Sequence, residues 1–133
     1  LSAPEMYILA ADTIVSLEGN ILGKPLSKDH AFSMWRALSG KTHQVMTSVS
    51  MIYQNKLITS LNISDVCFVE IGVEGMEAYW QTGGPADKAG DYAIQGLAAQ
   101  WVSHIDGSYS GIMGLPLYVT ALMLKQAGYN TVL

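Results

Sequence analysis

Asp12 stands inside an otherwise apolar run, Met6-Tyr7-Ile8-Leu9-Ala10-Ala11-Asp12-Thr13-Ile14-Val15-Ser16-Leu17. The aliphatic and β-branched content of that run suits a strand buried on both faces. A buried carboxylate must be hydrogen-bonded, protonated or held against a cation to offset its lost hydration. Two readings are open: a structural acceptor for neighbouring backbone, or a ligand group approached across the small Ala10 and Ala11. Lys24 is the first cation to follow. If Glu18-Gly19-Asn20 forms a three-residue hairpin loop, Leu17 faces Ile21 and Ile14 faces Lys24, which puts Lys24 diagonally across from Asp12 on one sheet face. If the loop is Gly19-Asn20 alone, the pairing moves by one and Lys24 projects from the other face.

Further along, Asp87-Lys88-Ala89-Gly90 is a short loop in which Gly90 lets backbone amides approach an anion while Lys88 adds charge. Gly107-Ser108-Tyr109-Ser110 and Gly114-Leu115-Pro116 read as tight turns, although a helix starting at Pro116 also offers an anion-attracting N-terminus. The three histidines, His30, His43 and His104, lack metal-ligand spacing. Cys67, the single cysteine, sits in the apolar run Val66-Cys67-Phe68-Val69 and reads as a buried inert thiol. The chain holds no P-loop and no dinucleotide fingerprint.

Four separated segments taken in order, Ala11-Asp12-Thr13, Gly23-Lys24-Pro25, the stretch from Asp87 through Ile94-Gln95-Gly96, and residues 107–116, resemble the Maf family of nucleotide pyrophosphatases. The resemblance implies a Maf/ITPase-like fold and cleavage of a nucleoside triphosphate to the monophosphate and pyrophosphate. It implies Asp12 as proton acceptor and metal-associated carboxylate, with Mg2+ or Mn2+ as the cation, and Lys24 as the catalytic lysine on the phosphates; the charge of Lys88 makes it a further substrate contact. Thr13 and Gln95 correspond to the subgroup acting on dTTP and UTP. A carboxamide such as Gln95 has the donor and acceptor that complement a uracil or thymine edge, though alone it could equally cap a loop. Family members carry a Ser-x-Ser-Pro-Arg-Arg loop upstream of Ala-Asp-Thr, and residues 1–10 do not match it, so the sequence reads as a single Maf-like domain, 1–133, lacking its N-terminal portion. Gly84 before Pro85, where many members have Glu, and Asp91, in place of a small residue, are further departures. Competing readings are a noncatalytic nucleotide-binding remnant and a septum-regulating binding protein.

The elements that must position these residues follow from periodicity and punctuation. The sequence predicts strands over residues 6–17 and 21–23, a helix from a Ser27 cap to Leu38 or Ser39, and a long hairpin over 42–53 and 57–70 joined at Gln54-Asn55-Lys56. A helix over 74–81, a strand over 98–105 and a final helix from Pro116 to Gly128 complete it. The expected class is α/β, a mixed twisted sheet with flanking helices. In 133 residues, half hydrophobic and only 14% charged, one packed domain is expected. A formal charge of −4, with no basic stripe, argues against a nucleic-acid partner. No apolar run reaches the roughly 20 residues of a membrane span, and with no signal peptide evident the expected location is cytoplasmic. An unpaired edge at the first strand predicts self-association, and the resemblance implies a homodimer.

Overall fold

The computed structural model describes residues 6–82 and 97–129. Its centre is a five-stranded sheet of order β2-β1-β3-β4-β5, made of β1 (Ile8–Leu17), β2 (Asn20–Leu22), β3 (Thr42–Tyr53), β4 (Lys56–Phe68) and β5 (Val102–Asp106). All four described pairings are antiparallel, where a mixed sheet was expected. For two of the four the reason is local: β1–β2 and β3–β4 are hairpins with two-residue loops, and such loops return the chain antiparallel. Glu18 and Gly19 close the first with φ of 51° and 84°, and Gln54 and Asn55 close the second with φ of 51° and 62°.

Among the described residues four α-helices pack on one face: α1 (Lys28–Leu38), α2 (Val73–Gln81), the single turn α3 (Tyr109–Ile112) and α4 (Leu117–Gln126). Ser27 caps α1, its Oγ accepting from the His30 amide at 3.1 Å. From that start Phe32, Trp35 and Leu38 fall on one side and are buried, as their spacing predicts. They join Val15, Leu17, Val45, Val66, Phe68, Ile71, Met76, Tyr79 and Ile112 in the main core. Trp35 is its centre, with ring contacts to Phe32, Tyr79 and Trp101. A smaller core of Val49, Met51 and Met123 lies under α4. There Tyr7 stacks on Tyr53 and donates to the Ala127 carbonyl at 3.2 Å, tying the end of α4 to the start of the sheet.

Three local expectations change. Residues 97–101 form a 3-10 helix, so the strand predicted over 98–105 begins only at Val102. Residues 107–116, read as turns, contain α3 ahead of the predicted final helix, which starts after Pro116. The third concerns β1, which is not buried on both faces: only residues 15–17 are buried and residues 8–12 are exposed. The described helices cover a single side of the sheet, and β2 shields only the last three residues of β1. Among the described residues no helix is long and apolar enough to cross a membrane.

Candidate active site

Successive residues of a strand point to opposite faces, so Asp12 and Thr13 part company. Asp12 pairs with Ser48, and Ser48 with Leu61, on the face that carries none of the described helices. The neighbouring rows are Ala10-Ser50-Thr59 and Ile14-Met46-Ile63. Asp12 is exposed, so the desolvation penalty that a buried strand would impose on it does not arise. Small residues, Ala10, Ser48 and Ser50, flank it and leave the carboxylate approachable. Thr13 points the other way, level with Thr47, toward the helix-covered side.

The two residues nevertheless share one access route. β2 pairs only with residues 15–17, so residues 8–14 form a strand edge without a β2 neighbour. A ligand lying along that edge can reach a carboxylate on one face and a hydroxyl on the other, along with the backbone of the edge itself.

Lys24 is placed by the hairpin. Leu17 pairs with Asn20, so the loop is Glu18-Gly19, a register one residue away from that of the three-residue loop and two from that of a Gly19-Asn20 loop. The ladder ends at Leu22, so Lys24 lies beyond the paired residues and the three-residue loop that would have set it across from Ile14 is not the one observed. Both side chains belong to exposed residues, and the described ion pairs, Lys28–Glu77 and Lys41–Glu18, involve neither. Lys88 and Gln95 lie outside the described residues.

Thr13 meets residues 107–116 directly. Its Oγ1 is 2.9 Å from Thr47 Oγ1, and Thr47 donates to the Gly111 carbonyl at 2.7 Å. Ser108 holds that turn: its amide donates to Ser64 Oγ at 2.8 Å, and its own Oγ caps α3 by accepting from the Gly111 amide at 2.9 Å. Gly111 packs so closely on Asn62 that a Cβ there would collide with the Asn62 side-chain oxygen. Two motifs 100 residues apart thus converge on one polar cluster. Sequence reasoning passed over Thr47, Asn62 and Ser64. The available signal was a hydroxyl at Thr47 in the middle of the buried alternation Val45, Val49, Met51. Beside this cluster, Tyr109, Ser110, Met113, Leu115 and Leu117 line an apolar recess of about 460 Å³.

Among the described residues no three His, Cys, Asp or Glu side chains gather to hold a metal ion. Asp12 alone cannot make a protein-built cation cage, but one carboxylate combined with phosphate oxygens fits the usual Mg2+ arrangement. The histidines offer nothing to such a site. His43 is fully buried edge-on to Phe68, and burial pushes its imidazole down to about 4, while His30 and His104 are exposed. Cys67 is half-buried, with Sγ 3.0 Å from Thr42 Oγ1.

The family described as Maf-like protein matches residues 2–127. The chain is 45% identical over 123 residues to a dTTP/UTP pyrophosphatase of Acinetobacter baylyi, covering 92% of this chain and 67% of that protein. It is 48% identical over 127 residues to the dTTP/UTP pyrophosphatase of Chromobacterium violaceum, covering 96% and 64%. For that of Methylococcus capsulatus the figures are 48% over 131 residues, 98% and 65%. The chain spans about two thirds of the length of these relatives. With nearly its whole length matched, and with Ala11-Asp12-Thr13 and residues 107–116 meeting in one cluster, the chain belongs to the Maf-like family.

Proposed function

We propose that this chain carries part of the active site of a nucleoside triphosphate pyrophosphatase that converts dTTP and UTP to the monophosphate and pyrophosphate. The observation that carries the reading is the placement of the Ala11-Asp12-Thr13 strand: an accessible carboxylate and an anchored hydroxyl on adjacent residues of an open sheet edge. Identity of 45% and 48% to dTTP/UTP pyrophosphatases supports the same chemistry.

In this reading Asp12 takes the proton of the water that attacks the α-phosphorus, and pyrophosphate leaves. Its exposure serves that task, since a base must reach both the water and the solvent that later removes the proton. Lys24 and Lys88 contact the phosphates, and Thr13 and Gln95 bind the base. A divalent cation, Mg2+ or Mn2+, held by Asp12 and the phosphates, would neutralise charge on the triphosphate. We place the protein in the cytoplasm, without a nucleic-acid partner, and as a homodimer. The exposed apolar side chains Ile8, Ile52, Leu57, Leu61 and Ile63 on the helix-free face support association.

The test is product analysis. The longest natural form of the protein, incubated with UTP or dTTP and Mg2+, is expected to yield monophosphate and pyrophosphate on ion-exchange chromatography. Diphosphate and orthophosphate as products would refute attack at the α-phosphorus. Nucleotide binding without turnover would favour a binding protein over an enzyme.

A further inference from the structure

The hydrogen bonds around Thr47 have only one consistent direction. Thr47 is fully buried, and its Oγ1 lies 2.7 Å from the Gly111 carbonyl oxygen and 2.9 Å from Thr13 Oγ1. A carbonyl can only accept, and a threonine hydroxyl has a single proton. The Thr47 proton therefore goes to Gly111, and Thr13 must supply the proton of the second bond. Thr13 is left with its proton turned inward and a lone pair available to whatever approaches it.

We propose that Thr47 is a positioning residue that fixes the Thr13 hydroxyl as a hydrogen-bond acceptor toward the substrate, and so selects a base edge that presents an N–H donor. The proposal rests on the reading of Thr13 as a base contact. A free hydroxyl rotates to suit donor or acceptor alike and discriminates little; a hydroxyl whose proton is already committed does not. Uracil and thymine carry an N–H at the ring position where cytosine carries a lone pair. Against the committed Thr13 oxygen the first makes a hydrogen bond and the second sets two lone pairs facing each other.

The surrounding residues serve the same geometry. For Thr47 to donate to Gly111, that carbonyl must be held within hydrogen-bond reach of β3. α3 is pinned to β4 through the Ser108 amide on Ser64, and Gly111 seats against Asn62 with no room for a side chain. The Gly111 carbonyl also accepts from the Gly114 amide at 3.0 Å, and a Cβ at Gly114 would come within 3.9 Å of Thr13 Oγ1. The relay β4, α3, Thr47, Thr13 thus gives the otherwise unexplained hydroxyls of the covered face a common purpose.

The experiment compares Thr47→Ser and Thr47→Val with the unaltered protein, in its longest natural form, by kcat/KM for UTP and CTP measured as pyrophosphate release. Thr47→Ser keeps the hydroxyl and is expected to keep the preference for UTP. Thr47→Val frees the Thr13 proton and is expected to lower the UTP-to-CTP ratio at least about tenfold, with CTP turnover rising in absolute terms. Equal losses for both nucleotides in Thr47→Val, with Thr47→Ser normal, would reduce Thr47 to a packing role and overturn the proposal. A neutron diffraction map of the unaltered protein reads the bond direction without activity. Deuterium on Thr13 pointing to Thr47, and on Thr47 pointing to Gly111, is expected; the reverse order overturns the proposal even if UTP is a good substrate. Failure of the unaltered protein to cleave UTP would instead sink the functional reading, leaving the map to decide the hydrogen-bond order.

Discussion

The two faces of the sheet are built from the same alternating strands, yet they treat polar groups in opposite ways. On the helix-covered face the hydroxyls of Thr13, Thr47 and Ser64 are each tied to a named partner in β3, in α3 or at the cap of α3. On the helix-free face Asp12 is exposed and flanked only by small and aliphatic residues. Burial explains the contrast: an unsatisfied polar atom under the helices costs about 1 to 3 kcal/mol, whereas water satisfies one on the open side at no cost. The covered face therefore spends its polar groups on geometry, and the open face keeps a reactive one available.

The largest expected difference between the faces is in stability. Met51 is fully buried under α4, and Met51→Ala should cost about 2 to 5 kcal/mol. Leu61, on the Asp12 row, is 60% exposed, and Leu61→Ala should stay within about 0.5 kcal/mol. Urea titrations of both variants check this, at one low protein concentration. A loss at Leu61 as large as that at Met51 would mean that the open face is covered in solution.

Activity should divide the faces in the other direction. Asp12→Asn is expected to lower turnover of UTP at least about a hundredfold, on the scale of losing a general base, while the melting temperature holds. Near-normal turnover would remove Asp12 from the chemistry. A fall in melting temperature would contradict its exposure.

The covered face was the more legible of the two in the sequence. The Ser27 cap and the Phe32, Trp35 and Leu38 spacing both state local rules that the tertiary structure obeys. The open face was misread because Ile8, Ile14 and their neighbours report apolarity, and apolarity does not say whether anything lies on top. Asp12 was singled out on the residues as a buried charge, and the structure exposes it. The Lys24 register turned on one residue: Glu18, not Asn20, takes the left-handed turn position, against the usual preference for Gly or Asn. The Thr13–Thr47 contact spans 34 residues and its link to Gly111 another 64, distances over which no local pattern reports.

A smaller effect should come from acid. His43 is fully buried, and its pKa falls from the usual 6.5 to about 4 because burial disfavours the charged ring. The unfolded chain binds the proton first, so this contribution to stability is complete above about pH 6.5 and is lost as pH falls toward 4. Between pH 7 and pH 5 the loss is about 2 kcal/mol. His43→Leu should flatten the dependence over that window in a series of urea titrations. An unchanged slope would show that other groups carry it.

The smallest effect, and the sharpest test of the comparison, is at Asp65. It shares the helix-free face with Asp12, two rows along, paired with Gln44 in the ladder, but its carboxylate accepts from Gln44 Nε2 at 3.1 Å and it is half-buried. Asp65 is therefore engaged while Asp12 is available, and of these two only Asp12 should matter to chemistry. Asp65→Asn keeps an oxygen for Gln44 and loses only the charge, so stability should change by no more than about 1 kcal/mol. Turnover of UTP should stay within about twofold, against the hundredfold or more at Asp12. A loss at Asp65 comparable with that at Asp12 would show that net charge on this face, rather than one reachable carboxylate, governs activity, and the distinction drawn between the two aspartates would fail.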